Sequence, residues 1–302
     1  MKHLTAHLTE LRALIARHAL RDRAETLMTG LRMRAAFKPT EPICGIDEPV
    51  FAVVAQGAKR TVVADRVFNY RAGHYIVVSV DLPVSSRITQ ASDKAPYLGL
   101  ALILKPELIA SVLLETAPGD AAIDQRLGFD VSEAPEELLE AVVRLVRLLE
   151  RPSDIPMLRP LIEREIVWRL LCGAQGATVR QIGLADSRLS RIRRAIRWMR
   201  EHYAEALSIE DLAGQVAMSA RSFHRHFRAA TAMSPLQYQK QIRLQEARAR
   251  LLAEADDIAS VGFSVGYDSP SQFSREYARL FGAPPGRDAA RLRAAVSPPV
   301  DS

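Results

Sequence analysis

Two stretches decide the architecture of this chain: SIEDLAGQVAMSARSFHRHFR at residues 208–228 and DIASVGFSVGYDSPSQFSREYARLF at residues 257–281. Each reads as a short helix, a tight turn and a longer helix. In the first, Ser208 is a candidate N-cap, and Glu210 and Asp211 meet the positive end of the helix dipole in the opening turn. Leu212, Ala213 and Val216 form the buried side, and Ala213 is small enough to let two helices cross closely. After a turn at Ala217 and Met218, Ser219 caps a second helix. There Phe223 and Phe227, one turn apart, point inward while Arg221, His224, Arg225 and Arg228 point outward. In the second stretch Ile258, Ala259, Val261 and Val265 supply the buried face, and Gly266 provides a backbone free to take positive φ. Ser269 and Pro270 then open a helix with Phe273, Tyr277, Leu280 and Phe281 inward and Ser271, Ser274, Arg275 and Ala278 outward.

Working outward, Ser234-Pro235 opens a connecting helix that runs to about Leu252, a rod of roughly 27 Å at 1.5 Å per residue. Two reading helices must lie about 34 Å apart to enter successive major grooves, and such a rod could set that spacing. Upstream, Ser190 to Tyr203 reads as a helix with Ile192, Ile196 and Met199 on one side and arginines on the others. The C-terminal domain is therefore expected over 189–295, with a flexible tail at 296–302. The small, polar run AQGATVRQIGLAD makes 174–188 the expected linker.

The first 173 residues read differently. Leu4, Leu8, Leu11, Leu14 and Ile15 fall at helical spacing from His3 to about Leu31. Between about 45 and 116, FAVVAQG, KRTVVAD, RVFNYRAGHYIVVSVDL and YLGLALIL are short β-rich runs with turn punctuation, the pattern of a small sandwich or barrel. Helical spacing returns over Pro135–Arg151 and Pro156–Cys172. There Leu138, Leu139, Val142, Leu145, Val146 and Leu149 form one apolar stripe, suited to the barrel or to a second subunit. The fold class is α+β: a small N-terminal barrel with flanking helices, then an all-helical domain.

Residues 1–177 carry as many acidic as basic side chains, so the net charge of +6 falls in the remainder. That asymmetry favours a polyanionic partner without proving one. The first residues lack the continuous apolar run of a secretory signal or membrane span, which leads to a cytoplasmic expectation with no membrane partner. Cys44 and Cys172, far apart and without metal-ligand spacing, suggest neither a disulfide framework nor a zinc site. No nucleophile–base pair, phosphate loop or paired-carboxylate motif is recognisable, so no enzymatic activity and no cofactor are expected. His74 has no partner ligand near it and reads as a strand or pocket residue rather than a metal ligand. Cys44 reads as an inert thiol, with a redox or electrophile sensor as the alternative. These two are the candidate effector or redox residues.

The C-terminal 110 or so residues resemble the DNA-binding domain of AraC-type transcription regulators. The resemblance rests on SP-x-x-Y at Ser234 to Tyr238, R-L-x-x-A-R at Arg243 to Arg248, VGF-x-x-GY at Val261 to Tyr267 and S-x-FSR at Ser271 to Arg275. VVAQGAKR at Val53 to Arg60, Tyr70 to Gly73 and VVSVDLP at Val77 to Pro83 resemble the cupin-like sensing domain of one subgroup. Departures are Glu276 and Tyr277 within FSR-x-F, and Gly286-Arg287-Asp288 where the family commonly has a Tyr-Arg pair, so the last helix is expected to start or pack differently. The resemblance implies sequence-specific binding to double-stranded promoter DNA, a small-molecule effector and contact with RNA polymerase, while a homodimer is expected through the helices near 136–173. Paired in this way, the outward residues become candidates for base contact: Arg221, Ser222, His224, Arg225, Pro270, Ser271, Gln272, Ser274 and Arg275. Candidates for phosphate contact are Ser219, Arg228, Gln239, Lys240, Arg243 and Ser269. The competing reading is a small-molecule-binding or catalytic barrel with a basic domain that docks to a partner.

Overall fold

The computed structural model describes residues 2–19, 26–116, 128–184, 187–253 and 257–296. By contact the chain divides into two compact units, Met1–Arg193 with His226–Ala232, and Arg194–Arg225 with Met233–Ser302. Each is taken by itself.

The N-terminal unit opens with α1 (Lys2–His18), where Leu8, Leu11, Leu14 and Ile15 are buried as their spacing demands. The helix expected to reach Leu31 ends well short of it. From Leu31 the period changes from 3.6 to 2: Leu31, Met33 and Ala35 are buried alternately, and Leu31–Ala36 is strand β1. Then follow β2 (Ile43–Asp47), β3 (Val50–Gln56), β4 (Ala58–Val63), β5 (Arg66–Arg71), β6 (His74–Val78), β7 (Leu82–Gln90) and β8 (Tyr97–Ile103). After α2 (Pro106–Thr116) the chain adds β9 (Phe129–Glu133). The expected barrel takes the form of two antiparallel sheets, ordered β1-β8-β3-β6-β9 and β2-β7-β4-β5. Aromatic side chains join them: Phe68 and Tyr70 of β5 lie with ring centroids 4.7 and 6.3 Å from Phe129 of β9. The Tyr70 hydroxyl lies 2.8 Å from the buried Thr61 hydroxyl, which also reaches Ser86. The polar tip of an interior aromatic is thus satisfied.

The flanking helices are α3 (Glu136–Arg147), α4 (Ile155–Cys172) and α5 (Gly176–Gly183). The stripe from Leu138 to Leu149 is fully covered within the chain, because α3 packs on both α1 and α4. It is not the surface left for a second subunit. The linker expected over 174–188 is also corrected in part: Gly176–Gly183 is helical, packs on α2 and buries Val179 and Ile182. Its glycines and polar residues masked a Val-x-x-Ile pair with one-turn spacing.

The second unit is helical: α6 (Arg188–Glu201, its start lying in the first unit), α7 (Ile209–Gln215), α8 (Ala220–Thr231, its end from His226 lying in the first unit), α9 (Pro235–Ala253), α10 (Ile258–Ser264), α11 (Pro270–Phe281) and α12 (Pro285–Val296). Helices α6 to α11 fall on the segments that the sequence reading gave as helical. Around α10 and α11, Leu244, Ala247, Leu251, Val261, Val265, Tyr267, Phe273, Tyr277 and Ala289 form one buried cluster. Beyond residue 296 the expected tail lies outside the described residues.

Candidate nucleic-acid interface

Each reading helix is launched by a cap that the sequence supplies. The Ser208 hydroxyl accepts from the Asp211 amide at the start of α7, and Ser219 accepts from the Ser222 amide at the start of α8. In the second unit Asp257 caps α10 through Ser260, and Ser269 caps α11 through Gln272 with Pro270 in the first turn. The turns are closed by matching bonds: Met218 donates to the Ala213 carbonyl at 2.9 Å, and Tyr267 to the Gly262 carbonyl at 3.0 Å.

Behind the outer faces the aromatic anchors are fully buried: Phe223 and Phe227 in α8, Phe273 and Tyr277 in α11. Periodicity then fixes which residues look out. On α8, Arg221, His224, Arg225 and Arg228 are exposed and Ser222 is half-buried. On α11, Ser271, Gln272 and Arg275 are exposed, with Pro270 and Ser274 half-buried. The base-contact candidates therefore gather on the exposed N-terminal halves of two helices. Several of them have internal partners: Gln272 Nε2 donates to Glu276 Oε1 at 3.2 Å, Arg275 Nε to the Ser271 carbonyl at 3.3 Å, and the Ser271 hydroxyl lies 2.9 Å from that of Ser269.

The phosphate candidates divide. Ser219 and Ser269 are helix caps, with their hydroxyls near the start of each reading helix. Lys240 is exposed and paired with Glu276 at 2.8 Å. Gln239 and Arg243 are corrected. Gln239 is buried and its amide donates to the Tyr203 and Glu205 carbonyls at 3.1 and 2.8 Å. The Arg243 guanidinium donates to the carbonyls of Tyr203 (2.7 Å), Ala204 (3.2 Å), Glu205 (2.8 Å) and Gly266 (2.7 Å). Burial pulls it below the ordinary arginine range, against the pull of Asp268 and Glu276. A loop carbonyl leaves no trace in a residue pattern, so the sequence reading assigned this arginine outward.

Two further polar centres escaped the sequence reading. Glu276 accepts from Lys240, from the Tyr267 hydroxyl at 2.9 Å and from Gln272. Burial raises its pKa, but these bonds outweigh that and hold the carboxyl below the usual range. Asp288, fully buried at the start of α12, accepts from Arg248 Nε at 2.8 Å, Arg291 at 2.8 Å and the Tyr277 hydroxyl at 3.0 Å. Here too the donors outweigh the burial that would raise it, and its pKa is lowered. The two departures from the family pattern, Tyr277 and Asp288, therefore meet each other. Arg248 also lies over the Phe281 ring, 4.5 Å from its centre.

In the other unit, His74 stands at the start of β6 with Nδ1 3.1 Å from the Arg71 carbonyl, and Cys44 is half-buried on β2. Among the described residues no group of three or more His, Cys, Asp or Glu could hold a metal ion. No helix among them is long and apolar enough to cross a membrane.

Two antiparallel sheets with helical flanks, followed by two helix-turn-helix units on a connecting helix, define a class of helix-turn-helix regulator. Residues 27–178 match the AraC-type transcriptional regulator N-terminus, and residues 212–291 match a helix-turn-helix domain. The chain belongs to the AraC-type transcriptional regulators. It is 32% identical over 161 residues to the HTH-type transcriptional activator RhaS of Escherichia fergusonii, covering 51% of this chain and 57% of that one. It is 28% identical over 159 residues to the RhaS of Salmonella schwarzengrund, with the same coverage. The match thus spans little more than half of these relatives. The fold is shared with ToxT of Vibrio cholerae strain SCE256, crystallised with an unsaturated fatty acid, at a TM-score of 0.56 and 10% identity over 92% of this chain and all of that one.

Proposed function

We propose that this protein is a sequence-specific DNA-binding transcription regulator that controls promoter activity in response to a small effector bound by its N-terminal domain. One observation carries the reading: two capped helices, α8 and α11, each hold an aromatic face in the core and turn a face of Arg, Ser, His or Gln to solvent. Arginine can bond guanine through two donors and serine can bond a base or a phosphate, so such faces suit the major groove. We assign base contact to Arg221, Ser222, His224, Arg225, Pro270, Ser271, Gln272, Ser274 and Arg275. Phosphate contact goes to Ser219, Arg228, Lys240 and Ser269, without Gln239 and Arg243. The contact with RNA polymerase rests on the family, whereas the homodimer and the cytoplasmic location carry over from the sequence reading. No cofactor is required by this reading.

The test is selection of bound fragments from genomic DNA with the purified chain, followed by titration of the selected site at several salt concentrations. Arg225→Ala is expected to weaken the selected site by about 1–3 kcal/mol and unrelated DNA much less. Arg275→Ala, on the less cationic helix, should lose no more than Arg225→Ala. Salt-sensitive association with no preferred sequence would instead support a basic docking domain.

A further inference from the structure

The second sheet, β2-β7-β4-β5, turns one face to the first sheet and the other to solvent. On the inner side Thr61 meets the hydroxyls of Tyr70 and Ser86, and Tyr70 approaches Phe129 of the first sheet. Side chains alternate along a strand, so Arg60, Asn69, Arg71 and Arg87 stand on the outer side. Arg60 is the direct cross-strand partner of Arg87 on one flank and of Asn69 on the other, and Arg71 follows two residues along β5. Like charges set directly opposite one another destabilise a sheet, so the fold gains nothing from placing Arg60 against Arg87. Arg60 Nε donates to Asn69 Oδ1 at 3.1 Å, and among the described residues neither Arg71 nor Arg87 has an ion-pair partner.

None of the outward positions on these strands holds Asp or Glu. The first 177 residues carry equal numbers of acidic and basic side chains, so this face gathers three positive charges from a stretch with no excess of them. Such segregation fits a polyanion. The arginines cross three strands, about 10 Å at about 4.8 Å per strand. One strand of B-form DNA presents a phosphate about every 3.4 Å of axis, so about three phosphates lie over that length. Asn69 and Thr89, exposed on the same face, are phosphate donors of the usual kind. An acidic protein would instead need an apolar anchor at the centre of its contact, and the large apolar side chain exposed on this outer face, Val67, lies toward the other end.

We propose that the outer face of the second sheet binds the phosphate backbone of double-stranded DNA through Arg60, Arg71 and Arg87, beyond the bases that α8 and α11 read. The N-terminal unit then adds affinity without sequence preference, which goes further than the helix contacts proposed above. The test titrates the full chain, at several salt concentrations, against the selected site with long flanks and against the same site trimmed to the bases read. Wild type should bind the long duplex more tightly and with the steeper salt dependence. Combining Arg60→Ala, Arg71→Ala and Arg87→Ala should flatten the slope of log K against log salt on the long duplex by about 2.7, at about 0.9 per phosphate. The wild-type advantage then shrinks about 40-fold between 50 and 200 mM salt. Binding to the trimmed duplex and the circular dichroism spectrum should stay unchanged. The triple lysine variant, which keeps the charge, should retain the wild-type slope. A triple alanine variant with the wild-type slope overturns the proposal and leaves the face to an acidic protein; so does equal loss on both duplexes. If no preferred sequence is selected, the regulator reading fails alone, because the same slope comparison on a long unrelated duplex still decides the sheet face.

Discussion

The two helix-turn-helix units share one plan and differ in what holds it. Where the first has Ala213 at the helix crossing and Ala217 in the turn, the second has Gly262 and Gly266. Ala217 sits at φ 54°, a left-handed conformation an alanine adopts at some cost, whereas Gly266 sits at φ 89° without that cost. The second unit has no room for the alternative: a Cβ on Gly266 would lie 2.3 Å from the Ala204 carbonyl oxygen, and one on Gly262 would lie 3.0 Å from the Phe273 ring. The reading faces differ in the opposite sense. Arg221, His224 and Arg228 of α8 face out where α11 has Ser271, Ser274 and Ala278. The second unit is thus the more tightly built and the less cationic, which suits a division between general attraction to the backbone and placement of the second helix.

The largest expected effect breaks the frame of the second unit. Arg243→Ala leaves the Ala204 and Gly266 carbonyls without this donor, while Gln239 still donates to those of Tyr203 and Glu205, and with bonds from a charged donor worth about 1.5–3 kcal/mol each the loss should reach about 3 kcal/mol in thermal or denaturant unfolding. Had Arg243 served as a phosphate contact, stability would stay level and only the affinity for DNA would fall. Next, Gly266→Ala should cost about 2–3 kcal/mol, since a close backbone approach and a positive φ must both be accommodated.

A smaller effect tests the Tyr277–Asp288 contact. Tyr277→Phe removes one hydrogen bond from a buried carboxylate and should cost about 1–2 kcal/mol. The same contact has a pH signature. Asp288 and Glu276 are both held below their ordinary range, so each contributes stability that is complete above the unfolded carboxylate value of about 4 and is lost as pH falls through the lower folded value. Acid unfolding of Asp288→Asn should therefore show a shallower fall in stability below about pH 4 than the wild type, and an unchanged slope would count against the assignment. The smallest expected change is Ala217→Gly. Relief of the left-handed backbone and the added freedom of the unfolded chain nearly offset one another, leaving a difference within about 1 kcal/mol. A loss comparable to that of Gly266→Ala would erase the distinction between the two turns.

The elements that repeat were readable from the sequence. Caps at Ser208, Ser219 and Ser269, the aromatic pairs of α8 and α11 and the positive φ of Gly266 are local, and local signals survive in a linear pattern. What escaped was nonlocal or balanced. Strand β1 followed a helical leucine pattern closely enough to be absorbed into it, and α5 was hidden by its glycines. At the site, the outward positions of Arg221, Arg225 and Arg275 follow from periodicity alone, whereas Arg243 lies inward because its partners are main-chain oxygens some 40 residues upstream and 23 downstream. Asp288 looked like a departure at the end of the family pattern. Its meaning emerged only with Tyr277 and Arg248 around it.

The Arg243 cluster has one more consequence. Its guanidinium ties the segment that leaves α6, at Tyr203 to Glu205, to the turn that launches α11, at Gly266. Those two places are separated in sequence by the whole first helix-turn-helix unit. The second reading helix is therefore moored to the end of α6 through one side chain of α9, by bonds in which no residue of the first reading helix takes part.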